Sequence, residues 1–466
     1  MQFSACGGTR GLFRSSLYEI TSLRDSGRGK VFSPRFVMMK FFRMPQFLRS
    51  VLGVSASLLA WSLTAQDEEP ATITFPAANS TEAAPPAPAA AAPAAPRKIT
   101  TADFMRSVLV QLPMMNKTGT HIAALFSGGG ESYQLLVRDR TTGEDIFLGG
   151  GEVAIVDSFR WLDETHLAYN LTGMNGGDLA LMVADINNPA DAYPIYQYGA
   201  ARIVAVPPDN PLNPLVWVSV GTSDGQPALV EMDAGTNRGG FIDLRGEAED
   251  EGILEVAQRH ADTILSEVPR PDGEVLGYLP TGSGNLGFAY TVLDERVVMY
   301  VWDGKEWLLT PLDFSNADVV DVGEEPGQLV MRIPGAPGET ASLRFVNAVS
   351  GELGEVLLQD AEYDFEGTVF RDPASRAIVG AFYSRDGPRS TWFDEGYREV
   401  QKALNDYFPG RVVRLIDVSQ GGSVMLVAVT SDRDPVSYFT IDLESKKIDL
   451  FQSERPWLPS SKMSPV

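Results

Sequence analysis

From residue 99 onward the sequence repeats a short apolar segment at a pitch near fifty residues, and this constrains its fold more than any other feature. IAALF at Ile122, LAYNL at Leu167, LVWVSV at Leu215 and VLGYL at Val275 are followed by LVMRI at Leu329, IVGAF at Ile378 and MLVAV at Met425; the spacings are 45, 48, 60, 54, 49 and 47 residues. A second pattern runs in phase: an apolar run, an acidic or amide residue, a polar turn, then another apolar run. Its pivots are Asp139, Asp185, Asp233, Asp303, Asn347 and Asp442. Asp, Asn, Gly and Ser at such points supply the local hydrogen bonds and positive φ that tight hairpin turns need. Four short strands joined by hairpins make one blade, so seven periods predict an all-β fold, a seven-bladed β-propeller over residues 99–458. A pair of β-sandwiches is the alternative, but it would not produce seven equal units. The sixth unit is irregular: EGYREVQKALNDYF (395–408) spaces Tyr397, Val400, Ala403, Leu404 and Tyr407 as one face of a short rim helix. A second helical pattern lies near Ile253 to Ile264.

The first hundred residues read differently. Residues 44–65 have the form of a signal peptide: Lys40, Arg43 and Arg49 supply positive charge, and VLGVSASLLAWSL (51–63) is an uncharged apolar run. Such a run falls short of the roughly 20 residues that span a bilayer. A permanent membrane anchor is the alternative, because Leu63-Thr64-Ala65 is an imperfect cleavage signal. Residues 1–43 read as a disordered extension or as sequence ahead of a true start at Met38, Met39 or Met44. Residues 66–98, with the tract PAANSTEAAPPAPAAAAPAAP, read as a disordered Pro/Ala-rich linker. The expectation is an exported protein, periplasmic or extracellular, that touches membrane only through the signal segment if this stays uncleaved.

Charge and composition exclude several function classes. Against 38 Lys and Arg stand 61 Asp and Glu, a formal charge of −23, which argues against a nucleic-acid partner. The one cysteine, Cys6, leaves no disulfide framework and no thiolate-ligated metal. His121, His166 and His260 stand singly, without metal-ligand spacing. Gly221-Thr222-Ser223-Asp224-Gly225 matches the nucleophile elbow, yet strand-like sequence follows where that elbow needs a helix. Gly282 to Gly287 matches a dinucleotide fingerprint, and again strand-like sequence follows. Asp360, Glu362, Asp364 and Glu366 lack EF-hand spacing and read as alternation along a strand or turn. No catalytic, cofactor-binding or metal-ligating residue is assigned, and no cofactor is expected.

Several stretches resemble the propeller of prolyl-oligopeptidase-family (S9) serine peptidases, in the bacterial dipeptidyl- and acylaminoacyl-peptidase-like branch. DFMRSVLVQLPMMNKTGTHIAAL is similar to the opening of a first blade, and FRWLDETHLAYN (159–170) to a second-blade motif with Trp161, Leu162 and Tyr169. LQDAEYDFEGTVF (358–370) and the run from Trp392 and Phe393 to Gln401 resemble late blades. Ser431-Asp432-Arg433-Asp434-Pro435 and Arg455-Pro456-Trp457-Leu458 are the most specific strings. The resemblance implies a substrate-gating propeller, with residues 459–466 as a truncated linker toward an α/β-hydrolase domain, encoded separately or lost. None of that domain's Ser, Asp and His has a matching position here, so the chain is expected not to be an active peptidase by itself. Other readings stay open: a self-standing scaffold for a peptide, glycan or protein partner, or an enzyme with an unrecognised site on the propeller.

Overall fold

The computed structural model describes residues 98–464 apart from 129, 131, 151–153, 245–248, 315 and 316. The extension, the signal segment and nearly all of the linker expected from sequence lie outside the described residues. The strands fall into seven antiparallel sheets, each built only from consecutive strands. Blade 1 is Val110–Met115, His121–Phe126, Gln134–Asp139 and Asp145–Leu148. Blade 2 is Ala154–Trp161, His166–Gly173, Asp178–Asp185 and Tyr193–Gln197. Blade 3 is Ala201–Ala205, Leu215–Val218, Ala228–Met232 and Ile264–Glu267, with a helix, Glu249–Thr263, inserted before its last strand. Blade 4 is Glu274–Pro280, Leu286–Leu293, Arg296–Trp302 and Trp307–Leu309; blade 5 is Asp318–Val322, Gln328–Ile333, Ser342–Asn347 and Leu353–Gln359. Blade 6 has three strands, Gly367–Arg371, Ile378–Ser384 and Pro388–Trp392, and the helix Glu395–Tyr407 stands where a fourth would be. Blade 7 is Val412–Val418, Val424–Thr430, Ser437–Asp442 and Lys447–Ser453. The chain forms a seven-bladed β-propeller.

The hydrophobic core is divided into seven clusters, one at each joint between neighbouring blades. Alternate side chains of a strand point to opposite faces of its sheet. Ile122 and Ala124 therefore pack toward blade 7 while Ala123 and Leu125 pack toward blade 2. Likewise Leu329 and Met331 face blade 4 and Val330 faces blade 6. Both faces of a blade are dry, which explains why the repeating segments are unbroken apolar runs instead of alternating ones.

Six of the seven sequence stations are second strands; VLGYL is the exception. It lies in the first strand of blade 4, whose second strand begins at Leu286. The helix inserted in blade 3 stretches that interval, and an even pitch is kept there only by the neighbouring apolar run of the first strand. Four strands per unit likewise fails in blade 6, where the rim helix substitutes. Asp394 caps this helix by accepting the Tyr397 N–H, and Val400 and Leu404 bury one face against blades 6 and 7.

The pivots of the second pattern behave as their chemistry requires. Each ends the third strand of its blade or follows it directly. There the side-chain oxygen of Asp139, Asp185, Asp233, Asp303, Asn347 or Asp442 accepts one or two N–H groups from residues two or three further on. Those bonds hold the Asp139, Asp233, Asp303 and Asp442 carboxyls below the usual range; desolvation opposes them and is the largest influence at Asp233.

Antiparallel order fixes where the turns lie. Turns between first and second and between third and fourth strands share one face of the ring. Second-to-third turns, and the links from blade to blade, share the other. The start of blade 1 and the end of blade 7 both lie on that second face, called here the terminal face. No helix among the described residues is long and apolar enough to cross a membrane.

Candidate functional site

First strands of neighbouring blades approach one another at the joints between blades 7 and 1, 3 and 4, and 5 and 6, while the fourth strands of blades 1, 4, 5 and 7 are the most exposed of their sheets. The first strands thus surround the axis, where a propeller has its channel. Their register is irregular in a regular way. Six first strands carry one extra residue against the second strand, at Leu112-Pro113, Asp157, Val204, Leu276, Val320 and Ile416. In blade 6 the extra residue is Val379, on the second strand. A bulge increases local twist and re-aims side chains, so in six blades the inner strand turns one residue out of its ladder. Leu112 shows the effect: it has φ +53° and remains 57% exposed on an innermost strand.

Immediately past the bulge, blades 5, 6 and 7 carry Asp321, Arg371 and Asp417 at equivalent positions. These side chains stitch the inner ring together. Arg371 donates to the Val322 carbonyl of blade 5 and lies 3.6 Å from Asp321. Asp417 accepts the Met115 N–H of blade 1 at 2.9 Å. On blade 2, Arg160 donates to the Val204 carbonyl of blade 3 at 3.2 Å, and Trp161 Nε1 donates to the Met114 carbonyl of blade 1 at 3.3 Å. Nearer the terminal face, Arg202 lies 3.2 Å from Asp178 and 3.7 Å from Asp157.

Arg160, Asp321 and Asp417 sit deep in the ring yet keep part of their surface accessible. Burial lowers the Arg160 guanidinium to about 10. It raises the Asp417 carboxyl to about 6 against the pull of the Met115 and Val418 N–H groups. Asp321 is raised for the same reason, with Arg371 opposing. The axis is therefore a polar, partly dehydrated lining with charged groups on blades 2, 3, 5, 6 and 7 and apolar residues on blades 1 and 4.

The motifs singled out in the sequence fall elsewhere. Gly221 to Gly225 form the second-to-third turn of blade 3, where Glu267 accepts the Thr222 and Ser223 N–H and hydroxyl groups. Gly282 to Gly287 run from the first-to-second turn of blade 4 into its second strand, with Gly284 at φ +83°. The acidic cluster lies on the link between blades 5 and 6, not along a strand. Asp360 accepts the Glu362 and Tyr363 N–H groups and pairs with Arg385, Glu362 also pairs with Arg385, and Asp364 accepts the Ala341 N–H. Among the described residues no group of three or more His, Cys, Asp or Glu side chains is placed to hold a metal ion. His121 lies beside Asp139, His166 beside Asp163, and His260 on the inserted helix against blade 2. The structure does not bring the three together. The inner-ring residues carry only one local sign in the sequence, a charge inside an apolar run, as in VVDV (319–322) and LIDV (415–418).

At the terminal face the ends of the ring are fastened to each other. Arg455 donates to the Phe104 and Arg106 carbonyls at 2.7 and 2.9 Å, Trp457 Nε1 donates to the Asp103 carbonyl at 2.9 Å, and Arg106 lies over the Trp457 ring at 4.2 Å. Leu109 N–H donates to the Glu454 carbonyl at 2.7 Å. Phe104, Met105, Met174 and Val220, all on segments of this face, are large apolar residues left 47–80% exposed.

No family model and no curated protein matches the chain. Among solved structures it is similar to one from a study of two prolyl endopeptidases (12% identity, TM-score 0.46, covering 75% of this chain and 50% of that one). It is similar as well to the β-propeller domain of the Trilobed protease from Pyrococcus furiosus (10%, 0.45, 75% and 96%) and to the acylaminoacyl peptidase of Pyrococcus horikoshii (9%, 0.43, 75% and 53%). The chain thus spans about half the length of the two peptidases and nearly all of the separate propeller domain.

Proposed function

We propose that this chain is a non-catalytic gating propeller that covers a hydrolase of the prolyl-oligopeptidase type and filters peptides reaching it. One observation carries the reading: both ends of the ring leave on one face, joined there by the Arg455 and Trp457 clasp beside exposed Phe104 and Met105. A partner seated on that face would cover the apolar side chains and the mouth of the axis together. Exposed apolar groups rimmed by polar ones mark such contacts. The strings that resemble the peptidase family support the reading, since Trp161, Arg455 and Trp457 serve to join blade 1 to its neighbours.

The purified chain, assayed with aminoacyl- and dipeptidyl-chromogenic substrates, is expected to show no turnover. Turnover abolished by a serine-directed inhibitor would overturn the non-catalytic reading. A second reading, a self-standing scaffold for a peptide, glycan or protein, draws on the charged lining of the axis. A G-x-S-x-G, an Asp and a late His encoded just downstream would favour the gating reading, whereas an unrelated downstream gene would favour the scaffold.

A further inference from the structure

Arg376 lies on the first-to-second turn of blade 6, is only 7% exposed, and holds the left-handed backbone conformation with φ +68°. That conformation is uncommon for a residue with a long side chain. Its Nη1 donates to the Gly282 carbonyl of blade 4 at 2.6 Å, so the side chain reaches past blade 5. Arg371 Nη1 donates to the Arg376 carbonyl at 2.5 Å and fixes the turn from beneath. Gly282 completes the enclosure: a Cβ there would meet the Gly323 carbonyl of blade 5 at 2.9 Å and Arg371 Nη1 at 3.1 Å. First-to-second turns of three successive blades thus meet at Gly282, whose carbonyl holds this guanidinium.

The remaining donors of that guanidinium, Nε and Nη2, are buried and have no hydrogen-bond partner. Nearby acids are engaged elsewhere: Asp321 with Arg371, Asp372 with Tyr397 and the Ala374 and Ser375 N–H groups, and Glu324 with the Ile378 N–H. A buried charge ordinarily has a partner. Here the unsatisfied donors form one complete edge of the fork, the edge that grips a carboxylate through two parallel N–H···O bonds.

We propose that the Nε–Nη2 edge of Arg376 binds a carboxylate, in the enclosure formed by the first-to-second turns of blades 4, 5 and 6. The Gly282 carbonyl holds the fork in place, and because Nε and Nη2 are buried, binding requires the turns to part. Burial and the charge of Arg371 lower Arg376 to about 10, which leaves it fully cationic near neutral pH, as binding requires. The inference is independent of the gating reading, because it concerns the face opposite the clasp.

The test uses the purified chain with acetate or succinate, against chloride at equal ionic strength, and with tetra-alanine against its C-terminal amide. Melting temperature and the 15N-resolved Nε–H resonance of Arg376 are the readouts. Expected are a rise in Tm and a shifted Nε–H resonance with the carboxylates but not with chloride. Binding should weaken at least tenfold in Arg376→Lys, which keeps the charge and loses the fork. A response to tetra-alanine and not to its amide assigns the carboxylate to a peptide end; a response to acetate or succinate alone assigns it to small acids. No carboxylate effect beyond chloride, or an equal effect in Arg376→Lys, overturns the proposal. If that variant does not fold, an Nε–H resonance unmoved by every carboxylate in the unsubstituted chain overturns it equally.

Discussion

Asp417 shows what a single residue does at the axis. Its carboxylate closes the ring by accepting the Met115 N–H, yet burial makes its ionised form unfavourable. The folded value, about 6, lies above the unfolded one of about 3.9. Between those values the folded state binds more protons than the unfolded, so this residue's contribution is most favourable below pH 4 and declines as pH rises through 6. At neutral pH the charge costs up to roughly 3 kcal/mol by the size of the shift. Asp417→Asn keeps an acceptor for Met115 and removes the charge. In urea titrations from pH 4 to 7 the variant should gain on the unsubstituted chain as pH rises; a constant difference would show that this carboxyl does not titrate in the window. The hairpin pivots are residues of the opposite kind. Their type was legible in the sequence because an Asx turn is closed by residues two or three apart. The contact of Asp417 spans about three hundred residues, and no local pattern announces it.

Among the elements, the inserted helix Glu249–Thr263 is tied to blade 2 through His260. His260 Nε2 accepts the Gln197 N–H at 2.8 Å, and the ring stacks on Tyr196 at 4.1 Å between centroids. Burial first, and then the charge of Arg259, lower it to about 4. A protonated ring cannot accept that bond. Stability supplied by neutral His260 is therefore complete above the unfolded value of about 6.5 and is lost as pH falls toward 4. Amide exchange in residues 249–263 should accelerate over that interval relative to the second strands, and His260→Gln should flatten the response. Exchange that rises equally in every blade would refute the local account. This helix also explains where sequence reading failed. Its fifteen residues interrupt blade 3, and the apolar run VLGYL happens to fall where a second strand was due. The bulges of the inner strands were unreadable for a different reason: one extra residue in a strand buried on both faces leaves an apolar run an apolar run.

The described residues form a ring whose core is shared out among seven joints. Six joints are crossed by the chain. The seventh, between blades 7 and 1, is held by apolar packing, by Asp417 and by the terminal clasp. Trp457→Ala removes a hydrogen bond and a cation–π contact and should cost roughly 1–3 kcal/mol. Limited proteolysis should then begin in blades 1 and 7 ahead of the others. Cleavage spread evenly around the ring would show that the seam is no weaker than its neighbours.

Among the described residues each blade is built from consecutive strands, and none is borrowed across that seam. The order of the blades around the axis matters to the fold, and the point at which the polypeptide starts does not. A circular permutant that links the present ends and opens between Gln197 and Ala201 would contain the same seven joints. Only the position of the uncrossed joint would change, and with it the place where the ring can part.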